Sequence, residues 1–316
     1  MNEAHKFRFG IKFQALTRAE ILEQTRQAED LGYSSLTVSD HVSGPRLGPI
    51  ATLAALAALD SKLYLTSAVF GNDFRHPAFL ANEAVTIDLI SNGRLELGIG
   101  TGWWEPDYIQ TGLVFDSPST RVSRLIEAIH ILKGLFSGQK FSFDGQYYTI
   151  CDLELMPKPS RQPPLLIGGG GKRMLSLAGR EADIVSVNPL SKDGTMDIEA
   201  FFASAFAQKI GWVREAAGER FAALELQCMC FGLTVTDGDQ QQAAEHWVTE
   251  AARAFKIPAE LKIEDILESP YILIGDVDQL IDKLQAIREQ YGVSYFTIPS
   301  SAVETFGPVV ARLAGR

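Results

Sequence analysis

The chain has 316 residues, 46% hydrophobic and 22% charged, which suits one large α/β domain or two smaller ones and argues against disorder. A formal net charge of -10 speaks against nucleic acid as a partner, since phosphate backbones are held by clustered Lys and Arg; a local basic patch would still admit a small anion, because net charge is screened beyond about 8 Å at physiological salt. The longest mainly apolar stretch, 50–59, broken only by Thr52, falls short of the roughly 20 residues that cross a bilayer, and MNEAHKFRFG lacks a signal-peptide core, so the chain reads as cytoplasmic and not membrane-bound.

FRFGIKF at 7–13 alternates as a strand. Thr17 with Glu20 is a capping-box pair for a helix whose Ile21, Thr25, Ala28 and Leu31 share a face and which Gly32 stops. SLTVSDH is a second strand, the 44–60 segment is loop and then helix, and KLYLTSAVFG is a third strand rich in β-branched and aromatic residues. HPAFLANEAVTIDLIS is helical, GRLELGIGTG is the fourth strand, and a helix follows with Val122, Leu125, Ile126, Ile129 and Leu132 on one face. From about 137 to 164 the pattern breaks into a hairpin-like run turning at Asp144-Gly145, which reads as an insertion after the fourth β/α unit.

Alternation then resumes with PPLLIGGGG, a helix from about Lys172, the strand ADIVSVN, a helix near 201–218, the strand LELQCMCFGLTV and helices across 239–268. In the strand, Cys228 and Cys230 stand two apart on one face and read as buried reduced thiols rather than metal ligands; no metal site is expected. Asp276 and Gln279 cap a last helix that Gly292 ends, and VSYFTIP is the final strand. Eight β/α units with one insertion fit a closed (β/α)8 TIM barrel spanning 1–316 as one domain. Glycines and polar residues recur at the C-terminal strand ends, where such barrels carry their active sites.

RLELGIGTGWW is not a dinucleotide fingerprint, because Trp103 stands where the third glycine belongs. The glycines there instead suit close approach of a flat ligand to the backbone. Neither is GGGGKR a P-loop, since Leu166 and Arg173 replace its first glycine and its Ser or Thr.

Taken together, Asp40-His41, NDFRHP at 72–77, GRLELGIGTGWWE at 93–105, PPLLIGGGGKRML at 163–175 and Ala182-Asp183 resemble the bacterial luciferase-like superfamily, most closely its coenzyme F420-dependent oxidoreductases, over almost the whole chain. The resemblance implies a non-prolyl cis peptide joining Ala68 and Val69 behind the deazaflavin ring. It places Thr101 and Gly102 against the ring or its ribityl-like chain. A phosphate is expected at Gly168, Gly169, Gly170 and Gly171, where a helix start offers unpaired N–H groups; Lys172 and Arg173 either add charge there or simply form a solvated first turn. Trp103 and Trp104 read equally as a pocket wall and as packing.

His41 is expected to transfer the proton, because its pKa range suits exchange near neutrality, with Asp40 orienting it or contacting the ring. Glu105 is a further candidate acid, although the dehydrogenases carry theirs directly after GTG, where Trp103 stands here. The expected activity is hydride transfer between F420 and a small organic substrate. The alternative is a monooxygenase using reduced FMN from a separate reductase. The resemblance also implies a homodimer, with the helices at 78–90 and 122–136 available for the interface.

Overall fold

A computed structural model describes residues 5–189, 191–192, 195–255 and 261–316; the 256–260 part of the helical stretch expected at 239–268 lies outside them. Eight parallel strands form the barrel: β1 Arg8–Lys12, β2 Ser35–Val38, β3 Tyr64–Ser67, β4 Leu95–Gly100, β5 Leu165–Gly169, β6 Ile184–Val187, β7 Glu225–Met229 and β8 Val293–Pro299. They pair in sequence order, and β8 closes the ring onto β1 with Arg8 opposite Tyr295. The run expected as one strand at 224–235 is split: only β7 joins the barrel, while Gly232–Val235 pairs with Ile272–Gly275 in a separate two-stranded sheet. Within 137–164, Phe141–Asp144 and Thr149–Leu153 form an antiparallel hairpin. Among the described residues no helix is long and apolar enough to cross a membrane.

Strand alternation sorts the side chains into two layers. Phe9, Ile11, Leu36, Leu65, Leu97, Ile99, Val185, Cys228, Phe296 and Ile298 belong to the main core between barrel and helices. The inward layer is polar towards the N-terminal end of the strands: Arg8 binds Glu96 at 2.5 Å and Glu225 at 2.7 Å, and Thr66 donates to Glu96. Beside it Leu166, Ile184 and Tyr295 pack with Val69 as a small apolar cluster.

The third strand is interrupted. After Ser67 the Ala68–Val69 peptide is cis, as the resemblance implied, and the chain resumes as Phe70–Gly71 against Ile99 and Gly100. This bend corrects the reading of the β4 glycines. A Cβ on Gly98 would overlap the Ser67 carbonyl oxygen, and one on Gly100 would lie 2.7 Å from Val69 Cγ2. Both glycines are therefore required by the chain's packing against itself, whatever ligand lies beyond.

Candidate active site

Asp40 and His41 follow β2 at the C-terminal mouth, and their side chains part company there. Asp40, almost fully buried, accepts from Arg75 Nη1 at 2.5 Å, Arg75 Nη2 at 3.1 Å and the Gly71 amide at 2.9 Å. It ties the loop after the third strand to β2 and does not orient His41, contrary to expectation. Consecutive residues leaving an extended strand project to opposite sides, so one carboxylate cannot serve both loops.

The partner of His41 is Asp107, which lies 66 residues away on a helix the sequence pattern did not reveal, α1, Glu105–Thr111. His41 Nδ1 lies 2.7 Å from Asp107 Oδ2, while Ser43 donates to Asp107 Oδ1 through its amide at 2.9 Å and its hydroxyl at 2.6 Å. Burial alone would raise the Asp107 carboxyl, but the Ser43 and His41 hydrogen bonds outweigh it and hold it below its usual range. Burial is also the largest influence on His41 and lowers its pKa, with Asp107 opposing and Arg46 reinforcing the shift. At neutral pH the pair is thus an aspartate accepting Nδ1–H from a neutral imidazole, which leaves Nε2 as a free base. Among the described residues Nε2 has no protein hydrogen-bond partner.

Trp103 stands edge-on to His41 with ring centroids 5.8 Å apart, and Trp104 donates its indole N–H to Ser43 Oγ at 3.2 Å. The two tryptophans thus sit within the site, Trp103 partly exposed at the mouth and Trp104 bracing the Ser43 loop. Glu105 opens the helix that carries Asp107 and makes no hydrogen bond or ion pair among the described residues. Asp107 was missed because EPD at 105–107 offers two carboxylates and spacing alone does not say which one turns inward.

Thr101 and Gly102 are pinned from behind: Arg121 donates to both carbonyls, and Tyr108 OH donates to Thr101 O at 3.2 Å and to Asp73 Oδ2 at 3.1 Å. Gly102 adopts φ +74°, and the Tyr108 hydroxyl fills the space its side chain would take.

Of the four-glycine run, Gly168 and Gly169 end β5, and Gly171 is the N-cap of α2, Lys172–Glu181. A Cβ on Gly170 would lie 2.8 Å from the carbonyl oxygens of Asn188 and Pro189, so the turn is closely packed. No side chain caps α2, which leaves its first-turn amides for an external acceptor. Lys172 is exposed, whereas Arg173 is engaged elsewhere, donating to Ser119 O at 2.8 Å and Ser123 Oγ at 2.9 Å. Nearby, Asn188 Oδ1 is buried without a partner, an acceptor suited to an N–H or hydroxyl of a bound molecule. An uncapped helix start and an orphaned acceptor at one mouth fit a flavin-type cofactor with a phosphate tail.

The fold is a (β/α)8 barrel whose C-terminal mouth carries a hydrogen-bonded histidine–aspartate pair and, after β5, a helix start that no side chain caps. The sequence profile described as luciferase-like monooxygenase matches residues 7–295, and the chain belongs to that family. It is 31% identical over 171 residues to the F420-dependent glucose-6-phosphate dehydrogenase of Microbacterium testaceum, covering 52% of this chain and 51% of that protein, so it spans only about half of this relative. It is 28% identical over 283 residues to the F420-dependent hydroxymycolic acid dehydrogenase of Mycobacterium tuberculosis, covering 83% and 76% of the two chains. In structure it is similar to the coenzyme F420-dependent tetrahydromethanopterin reductase of Methanopyrus kandleri, with a TM-score of 0.77 at 20% identity over 98% of this chain and 100% of that one.

Proposed function

We propose that the chain binds a deazaflavin of the coenzyme F420 type at the C-terminal mouth and exchanges a hydride with a small organic substrate, with His41 as the proton-transfer group. The observation that carries this reading is the His41–Asp107–Ser43 chain, which presents a neutral Nε2 beside Trp103. The two relatives named above are both F420-dependent dehydrogenases by description and support the choice of cofactor. When bound, the deazaflavin supplies a carbon that takes or gives two electrons as hydride.

The chain's own residues do the rest. Ala68 and Val69 would back the ring, Thr101 and Gly102 would flank it, and the amides from Gly168 to Lys172 would hold the phosphate. His41 would take the substrate's hydroxyl proton or return it, and Asp107 would stabilise the imidazolium so formed. Asp40 supports the 71–75 loop, and Glu105 stays a secondary acid. A cytoplasmic single domain forming a homodimer completes the proposal: Phe79, Ile90 and Ile126 are exposed apolar side chains that a second copy would cover.

The family's description as monooxygenases favours a second reading, reduced FMN delivered by a separate reductase. Titration of the purified protein with F420, and with FMN in both redox states, separates the two. Low-micromolar binding of F420 alone is expected, and preference for reduced FMN would overturn it. With a substrate in hand, His41→Gln should lower turnover about 100-fold or more with cofactor affinity unchanged; full turnover would remove the role.

A further inference from the structure

Tyr108 follows Asp107 on α1 and is fully buried. Its hydroxyl reaches a different loop from the one Asp107 holds, lying 3.1 Å from Asp73 Oδ2 and 3.2 Å from Thr101 O. Burial raises the phenol's pKa, so it keeps the proton it donates. The other oxygen of Asp73 accepts from Arg124 Nη1 at 2.8 Å.

The two acceptors belong to two separate segments of the cofactor slot. The segment that begins with Ala68–Val69 pairs with β4 as far as Gly71 opposite Gly100. Beyond that pair the backbones part: 72–74 coils into a single helical turn, while Thr101 runs on to Gly102 at φ +74°. The Tyr108 hydroxyl carries the link across the gap where the ladder stops. The helix Pro118–Phe136 backs both sides, because Arg121 donates to the Thr101 and Gly102 carbonyls and Arg124, three positions on and so on the same face, holds Asp73. Lengthening either Tyr108 contact by about one ångström would take it out of hydrogen-bond range and leave a buried polar atom unpaired. The spacing of the two segments is therefore fixed by this one hydroxyl and its two acceptors.

We propose that Tyr108 and Asp73 form a positioning pair that sets the width of the cofactor slot, between its Ala68–Val69 back and its Thr101–Gly102 flank. This deepens, and rests on, the reading of those four residues as the seat of a deazaflavin ring. Tyr108 acts through Thr101: a flank already held at its spacing need not be ordered when a flat ring enters, so less of the binding free energy is lost. Because Asp107 and Tyr108 are neighbours on α1, the base and the slot take their places from the same short helix.

The test needs neither substrate nor turnover. The purified full chain is titrated with F420 as wild type, Tyr108→Phe, Asp73→Ala and the double variant, with the His41 ring followed by NMR in each. Tyr108→Phe should weaken F420 binding about 10-fold and leave the His41 tautomer and midpoint as in wild type, since α1 and Asp107 stay in place. The double variant should bind no more weakly than the weaker single variant, because both changes remove the same link. Equal F420 affinity in wild type and Tyr108→Phe overturns the proposal. So do additive losses in the double variant, which would make the two residues independent. A weakened affinity accompanied by a changed His41 tautomer also overturns it, by assigning the loss to a displaced helix. Failure of the underlying cofactor reading appears in the wild type instead, as absence of F420 binding, and removes the proposal with it.

Discussion

Replacing Asp107 by Asn tests the histidine–aspartate pair most directly. Three donors converge on this carboxylate: His41 Nδ1 at 2.7 Å on one oxygen, and the Ser43 amide and hydroxyl at 2.9 and 2.6 Å on the other. An asparagine has one acceptor oxygen. If the two Ser43 donors keep it, the new NH2 faces Nδ1 and forces the imidazole proton onto Nε2, which blocks the base. The opposite orientation sets NH2 against a fixed backbone N–H, a conflict of about 1–3 kcal/mol, or about 5- to 150-fold in tautomer population at about 1.4 kcal/mol per decade. Loss of the charge that stabilises the imidazolium removes about one further pKa unit or more. Together these predict a fall in turnover of about 50- to 1,500-fold or more, with the fold retained. The assay is nitrogen-15 NMR of the His41 ring, read alongside turnover. Asp107→Asn should move the proton from Nδ1 to Nε2 and push the His41 midpoint below its already depressed wild-type value. An unchanged tautomer with an unmoved or raised midpoint would refute the argument.

Gly98→Ala should destabilise the protein by about 3 kcal/mol or more, because the added methyl meets the Ser67 backbone carbonyl rather than a movable side chain; urea unfolding measures it, and a loss under about 1 kcal/mol would show that the bend yields. Lys209 is 3% exposed, donates to Ala200 O at 2.8 Å and Tyr271 OH at 3.2 Å, and is lowered to about 8, chiefly by burial. A lysine whose pKa is lower folded than unfolded destabilises the fold while protonated in both states, and that penalty is relieved as pH rises from about 8 towards the ordinary 10.5. Wild type should therefore gain up to about 3 kcal/mol on Lys209→Met across that window, and parallel denaturation curves at both ends of it would contradict the shift.

Local pattern was enough to lay out the barrel. The order of the eight barrel strands, the capping pair at Asp276 and Gln279, the hairpin whose turn begins at Gly145, just after Asp144, and the polar strand ends are all short-range features, because alternation, caps and turns involve residues a few positions apart. Asp40-His41, together with the family likeness, likewise located the mouth and pointed to the cis Ala68–Val69 peptide. Partnership was decided by the tertiary structure. Whether His41 turns to Asp40, Glu105 or Asp107, which serines Arg173 reaches, and whether Gly98 makes room for a ligand or for Ser67 all depend on segments far apart in the chain.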